Sequence, residues 1–361
     1  MPLINATRHP QCDIKYLPVS YTDMETTQTT VVLINEEEGY SLINPKVVEF
    51  LMTFNLLICA EVIGLLGILA NFITISVFAK QGYDDSVNIT LTALAVSDIG
   101  SLVTLQIYNV LMSPWLSQLD LPFVQVDLVS LASFYPHNYF VRVGGFITAF
   151  ASFERCLCVL IPLKVKRVIT KKVSVYVNLL IFLIMLLDLV PAYYVVYLDW
   201  IYVPELNRTL LMAAFHEDPN VVFDYSYIVT DLFIPYITFG IIIVCTCVVV
   251  VKLKSRAMWR SSVSVVKDKT IPGKEKKLVL MLVVVSVIFT VCLMPQSAIL
   301  TAVGLVDELG VRGRNFDVAL VCYSIAYLFE SVSSSINLIV YYRMSTKFRY
   351  TLFDIFKRPH K

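Results

Sequence analysis

The sequence predicts an all-α membrane protein: a bundle of seven transmembrane helices with its N-terminus outside, followed by a short amphipathic helix at the inner interface. Three observations predict it. Apolar residues make up 57% of the 361, charged residues only 16%, and the mean hydropathy is +0.72. Soluble domains sit nearer to about 45–50% and about 25%. The apolar excess is gathered into seven runs, at about 47–79, 87–113, 134–161, 173–197, 222–251, 277–304 and 317–342. Each is at least as long as the ~20 residues that cross a bilayer as a helix. Finally, Lys and Arg crowd every second connection.

Each run can hide its backbone only as a helix, because lipid supplies no hydrogen bonds. The ~10-residue alternating segments of a membrane β-barrel are absent. Connections between runs are short, so neighbours should pack antiparallel. No internal repeat is visible, which argues against transporters built from duplicated halves. The net charge of +1 gives no reason to expect a nucleic-acid partner.

Orientation follows from the basic residues. One side holds Lys80, Arg155, the basic residues of 164–172 and the basic runs of 252–277 and 343–361. The other holds only Arg8, Lys15, Lys46, Arg208, Arg312 and Arg314. The N-terminus is therefore expected outside, and residues 1–46 form an outer tail. Residues 47–343 form the bundle, and 344–361 the amphipathic helix and inner tail. Sequons at Asn5 and Asn207 fall outside, as glycan acceptors must, whereas Asn88-Ile-Thr90 falls at an inner boundary and should stay bare. The opening "MPLINATRHPQC" has no basic n-region leading into an apolar core, so the first span is expected to serve as the insertion signal. After the last span, Phe348, Leu352, Ile355 and Phe356 recur at helical spacing among Lys347 and Arg349, an amphipathic pattern suited to the interface.

Seven of the eight cysteines fall in the spans, and only Cys12 is clearly outside, so no disulfide framework is expected. The Cys-x-Cys pairs at 156–158 and 245–247 face a reducing compartment with no His nearby. They read as packing residues rather than a metal or redox site. No metal ligands and no H-E-x-x-H-type catalytic set appear, so an enzyme is not expected.

Polar groups within the spans are the functional candidates, because burying them in lipid is costly. Asn71, Asp98, Ser333, Ser334, Ser335, Asn337 and Tyr341, with Glu330 above them, can form one network. Two readings stand: a fixed cluster joining helices, or a switch that repacks when helices move. Arg142 lies 13 residues before Arg155, about 20 Å above the inner boundary along a helix. It needs a carboxylate from Asp188, Asp231 or Glu330, a carbonyl cluster, or else an anionic ligand. His137 lies a turn and a half further out. At the inner rim "SFERCLC" (152–158) sets Glu154 beside Arg155. Glu275, the only acid of "GKEKKLVLML", supplies a second partner from the sixth span. A Glu–Arg bridge there would close the inner end, and breaking it would let the sixth helix swing out. A weak surface-type pair, worth ~0–1 kcal/mol, suits a switch near balance.

These residues, taken in order, resemble the rhodopsin-like G-protein-coupled receptors over nearly all of 47–356. Asn71 fits the first helix, "LAVSD" with Asp98 the second, and Glu154-Arg155-Cys156 the "D/E-R-Y" position of the third. Pro235 fits the fifth, "FTVCLMP" with Phe289 and Pro295 the sixth, and Asn337 to Tyr341 the "NPxxY" of the seventh. "KFRYTLF" fits the short helix after it. Glu275 stands where the family carries its lock acid. A closer likeness lies in "SVNITLTALAVSD", "SPWLSQLDLPF" and "ITAFASFERCLCVLIPLKVKRVIT", which resemble the molluscan chemosensory receptors, a group similar to FMRFamide-type peptide receptors.

The resemblance implies a plasma-membrane receptor that binds an extracellular small molecule or peptide between helices 3, 5, 6 and 7 and activates a heterotrimeric G protein at its inner face. It implies a ligand site lined by His137, Asn138, Val141, Arg142, Gln296 and Glu330, with Gln106 and Tyr108 from helix 2. It also implies a sodium ion near Asp98, with the usual partners reduced to Gly144 and Ser333. The chemistry of an arginine, a histidine and scattered tyrosines suits a carboxylate, an amide or a peptide end. No acid stands at His137 to anchor an amine. Several positions depart from the family: Cys156 for Tyr, Leu293 for the helix 6 Trp, Leu338 for the Pro of "NPxxY", and Ile243 for a helix 5 Tyr. Ser130 replaces the half-cystine that usually ties helix 3 to the second outer loop, so that loop is expected to be more mobile. A retinal photoreceptor is excluded by the lack of any Lys between Lys277 and Lys347. The alternative from a different class is an ion-coupled transporter or channel using Asp98, Arg142 and Glu330.

Overall fold

The computed structural model describes residues 42–113, 116, 119–162, 164–215, 226–262, 273–310 and 313–357. Asn5 and Cys12 lie outside the described residues. Seven helices are long and apolar enough to cross a membrane: α1 (Pro45–Gln81), α2 (Ser86–Leu111), α3 (Asp127–Leu160), α4 (Lys171–Val195), α5 (Tyr227–Ser255), α6 (Val279–Leu305) and α7 (Phe316–Met344). They match the seven apolar runs to within a few residues, except that α3 starts earlier and α5 later. α6 is the apolar part of a helix that begins at Gly273, and α8 (Thr346–Lys357) follows α7. The chain is a multi-pass plasma-membrane protein. Large apolar side chains such as Leu65, Leu69 and Phe72 of α1 and Tyr176, Leu180 and Leu187 of α4 cover its outer surface, as lipid contact requires.

Local chemistry sets the helix ends. Asn44 accepts from Lys46 N at 3.0 Å with Pro45 at the first helical position, Asp85 caps α2 through Val87 N, and Thr170 caps α4 through Val173 N. These side-chain acceptors satisfy N–H groups that no helical carbonyl reaches. Gly82 stops α1 at φ +84°, a conformation open to a residue without Cβ.

Prolines shape the interiors of the spans. α3 widens to a five-residue repeat over Ser130–Phe134, just before Pro136, and α5 does the same over Tyr227–Phe233, just before Pro235. A proline has no N–H to continue the ladder, and such wide turns often mark functional positions. α4 tightens over Leu186–Asp188 before Pro191.

The core runs between α1, α2, α3, α6 and α7. Val77, Leu91, Val143, Ile147, Met281 and Tyr341 are among its buried members, with Phe348 of α8. Gly100 lets the Phe140 ring lie where a Cβ would collide with it at 2.3 Å. α8 is amphipathic as its sequence predicts: Phe348, Leu352 and Ile355 pack inward, while Phe356 faces out. Lys80 of α1 pairs with Asp354 at 2.5 Å.

The connection after α4 has regular structure although it lacks the family's disulfide. It folds into a hairpin of β1 (Val196–Val203) and β2 (Arg208–Phe215), paired antiparallel from Val196–Phe215 to Val203–Arg208. Asn207 supplies the left-handed turn residue at φ +48°, a conformation asparagine tolerates. Hydrogen bonds fasten this hairpin to the segment entering α3, where the family uses a disulfide. Val124 N donates to Leu211 O and Leu211 N to Pro122 O, both at 2.9 Å. Asp127 accepts from Ala213 N at 2.8 Å, and Arg208 pairs with Asp120.

Candidate functional site

In the half of the bundle nearer the hairpin, α3, α5 and α6 enclose a cavity of about 50 Å³. Its polar lining is Asn138, Arg142, Asp231, Thr238, Gln296 and Ser297, and its apolar lining includes Val141, Phe239, Phe289 and Leu293. At ~10–15 Å³ per water it holds a few waters or one small head group. Drug-sized ligands occupy about 300–1,000 Å³.

The wide turn of α5 explains how Arg142 is held. Ile234 N reaches back five residues to Val229 O. In that register Thr230 O falls to Pro235, which has no N–H. Arg142 Nε takes this carbonyl at 3.0 Å. Arg142 Nη2 donates to Asp231 Oδ1 at 2.6 Å, and Nη1 lies 3.8 Å from Asp188 Oδ2. Two of the three carboxylates named from sequence thus surround the arginine.

The third, Glu330, pairs elsewhere. Its Oε1 lies 2.8 Å from His137 Nε2 in a fully buried contact between α7 and α3, close enough for an ion pair but not aligned as a hydrogen bond. His137 Nδ1 approaches Ser101 O at 2.9 Å; a carbonyl only accepts, so Nδ1 carries a proton. Glu330 Oε2 has no hydrogen-bond partner among the described residues.

Below it Asn71, Asp98, Ser334 and Asn337 of the expected polar network make hydrogen bonds, whereas Ser335 bonds to Ile63 O of α1. Ser101 Oγ meets Ser334 Oγ at 3.5 Å, Asn71 Nδ2 donates to Ser334 O at 2.8 Å, and Asn337 Nδ2 donates to Asp98 Oδ2 at 2.8 Å. Tyr341 is the far end, locked among rings with Phe78 at 5.6 Å and Phe348 at 5.7 Å between centroids.

Of the eight residues expected around the ligand, Asn138, Val141, Arg142 and Gln296 line the cavity. His137, Glu330, Gln106 and Tyr108 do not. The Gln106 amide, oriented with its nitrogen toward the acid, donates to Glu61 of α1 at 2.6 Å, and Asn109 donates to the same carboxylate at 3.3 Å. Tyr108 stacks near Tyr327, 5.6 Å between centroids. Gln106 and Tyr108 therefore join α2 to α1 and α7 rather than facing the cavity.

The inner end also departs from expectation. Glu154 turns away from the rim to accept from Ser174 of α4 at 3.1 Å and from Thr90 of α2 at 3.4 Å; Asn178 extends this cluster to Thr90. Arg155 is buried with its Nε unbonded among the described residues. The Glu275 backbone lies on the helix begun at Gly273, and its side chain lies outside the described ones. What ties α3 to α6 here is Ser152 Oγ to Ser286 Oγ at 2.7 Å, both buried. Beneath it Cys156, Val159, Cys245, Val249 and Val279 form an apolar plug between α3, α5 and α6. The seven described cysteines form no disulfide with one another.

No curated protein sequence matches the chain. The family model described as 7 transmembrane receptor (rhodopsin family) matches residues 70–341, three quarters of the chain and every span from the middle of α1 to the end of α7. The chain belongs to the rhodopsin family of seven-transmembrane receptors.

Proposed function

We propose that the protein is a chemosensory or short-peptide receptor that binds an extracellular ligand in the α3–α5–α6 cavity and drives nucleotide exchange on a heterotrimeric G protein at its opposite end. The observation that carries this reading is a shared set of helices. α3, α5 and α6 line the cavity around Arg142 and close over Arg155 through Ser152–Ser286 and the apolar plug. A ligand that spreads the helices at one end changes their packing at the other. It can do so only through its difference in affinity for the two packings. The hairpin end is the outer one in this reading, in line with the basic residues at the α8 end. Asn207, exposed at the hairpin turn, is the glycan acceptor. The likeness to molluscan chemosensory receptors belongs to the same proposal.

Asp98, Asn71, Asn337 and Tyr341 form the hinge of the switch, and Pro295 is the flexible point of α6, since it cannot donate to Val291 O. A sodium ion at Asp98 would be held by that carboxylate with the hydroxyl of Ser334, its hydrogen-bond partner. It would stabilise the closed packing.

The test is guanine-nucleotide exchange by the full-length receptor in lipid vesicles with purified heterotrimers of each class, alongside ion flux in the same vesicles. Receptor-dependent exchange without flux is expected. Flux with no exchange on any heterotrimer would restore the transporter or channel alternative.

Ser286→Ala is expected to raise basal exchange by roughly two- to tenfold, the equivalent of one net hydrogen bond of about 0.5–1.5 kcal/mol. Ser152 keeps its bond to Thr148 O at 2.9 Å, so the change leaves no orphaned hydroxyl and acts on the α3–α6 tie alone. Basal exchange equal to wild type would show that the tie does not hold the closed state.

A further inference from the structure

We infer that the cavity anchors its ligand by a positive group, an ammonium or guanidinium held by Asp231 and Gln296; this rests on the receptor reading above. The argument begins with charge. Among the described residues Arg142 is the only cation lining the cavity, and it already faces two carboxylates, Asp231 at 2.6 Å and Asp188 at 3.8 Å. Its third donor direction goes to Thr230 O at 3.0 Å. The His137–Glu330 pair is not part of the lining. Two acidic side chains therefore surround one basic one at the site. A ligand carboxylate would have to displace Asp231 from Arg142 while facing Asp188. A cation finds a carboxylate ready.

The accessible acid is Asp231. It lines the cavity and its side chain is 24% exposed, against 10% for Asp188 and 9% for Arg142. Arg142 occupies its Oδ1, which leaves Oδ2 to receive a second donor.

Gln296 points to a ligand independently. Its side chain is buried at 7% exposure and lines the same cavity, yet its amide makes no hydrogen bond among the described residues. The amide opens onto the cavity, where water or a polar ligand group can bond to it. Its oxygen can accept from an ammonium seated on Asp231, and its nitrogen can donate to a carbonyl or ether further along the ligand. Phe239, Phe289 and Leu293 form the apolar floor.

The cavity of about 50 Å³ admits such a head group and its first carbons. A larger body must push α6 from α3 and α5, so binding and helix movement are one event.

The test uses the full-length receptor in lipid nanodiscs, with thermal unfolding followed in the presence of 2-phenylethylamine, phenylguanidine and, as the anionic counterpart of matched size, phenylacetate. The two cations are expected to raise the unfolding temperature of the wild type at millimolar concentration, and phenylacetate is not. Asp231→Asn should raise the cation concentration for half-maximal shift at least tenfold, whereas Asp231→Glu should retain binding. Gln296→Leu guards against misfolding, since it removes an amide with no hydrogen bond to another described residue, and it should weaken the cations several-fold. A shift by phenylacetate without one by the cations overturns the inference, as does no shift by any probe, or cation binding unchanged in both Asp231→Asn and Gln296→Leu. Nucleotide exchange by the same preparations separates the two ideas. Exchange without cation binding removes the ligand class and leaves the receptor; cation binding without exchange on any heterotrimer does the opposite.

Discussion

Arg155→Ala is expected to cut receptor-dependent nucleotide exchange by roughly 30-fold or more, the equivalent of the ~2 kcal/mol that defines a hot-spot side chain, while surface expression stays near wild type. The two halves of this expectation have different grounds. Expression should survive because Arg155 contributes little to the resting fold: it forms no ion pair among the described residues, and its Nε is unbonded. The structural role at this rim belongs to Glu154, whose carboxylate joins α2 to α4 through Thr90 and Ser174. Exchange should fail because an arginine buried without a full set of partners is poised to gain them elsewhere. When α6 leaves the plug of Cys156, Cys245 and Val279, the guanidinium becomes the donor-rich group at the exposed end, suited to the carbonyls of a docking helix. Surface labelling and exchange on the same cells check the claim. Exchange at the wild-type rate would remove Arg155 from the G-protein contact, and loss of surface protein would make it a structural residue.

Why Glu154 and Arg155 separate was not legible in the sequence. Adjacency suggests a pair, yet consecutive residues on a helix point about 100° apart. Only the serine and threonine arriving from α4 and α2 decide which way the acid turns. The spans themselves were legible to a few residues, because lipid leaves an apolar run no alternative to a helix. That Arg142 needs partners was equally plain, a carboxylate, a carbonyl cluster or a ligand anion being the candidates. Which carboxylate was not: Asp188, Asp231 and Glu330 lie on three helices, and the choice depends on the wide turn that Pro235 permits in α5. That proline was noticed as a landmark, not as the reason a carbonyl at Thr230 lies open. Glu61 went unnoticed inside the first apolar run, where nothing local tells an acid facing Gln106 and Asn109 from one facing a helix end. The Ser152–Ser286 tie left no trace, since one serine per helix has no period. The hairpin did leave one. Two apolar-rich octets flank Pro204–Asn207, the pattern of strands about a turn, but it was masked by the hydrophobicity of the preceding span.

Arg142→Ala should be the most damaging single change in the upper bundle, a loss of about 3–5 kcal/mol, the range seen when one partner of a buried ion pair is removed. The magnitude follows from what is left behind rather than from the bond that is lost. Asp231 and Asp188 would face each other across the vacated space with no cation between α3, α4 and α5, and Thr230 O would lose its only side-chain donor. Two carboxylates kept from water cannot both remain charged at that price. The helices must then part to admit water, or one acid must take up a proton. Total marginal stability of a domain is about 5–15 kcal/mol, so much of the protein should be retained inside the cell, and unfolding in nanodiscs should occur at distinctly lower temperature. The cause can be isolated by a cycle of variants. Adding Asp188→Asn to Arg142→Ala should recover part of the stability, because it removes one of the stranded charges, whereas Asp188→Asn alone should cost little while Asp231 still pairs at 2.6 Å. Equal losses for the single and the double variant would mean that the damage came from the missing side-chain volume. Recovery in the double variant would establish that Arg142 is present in the resting receptor as a counterion, held in place by α5 until a ligand cation competes for Asp231.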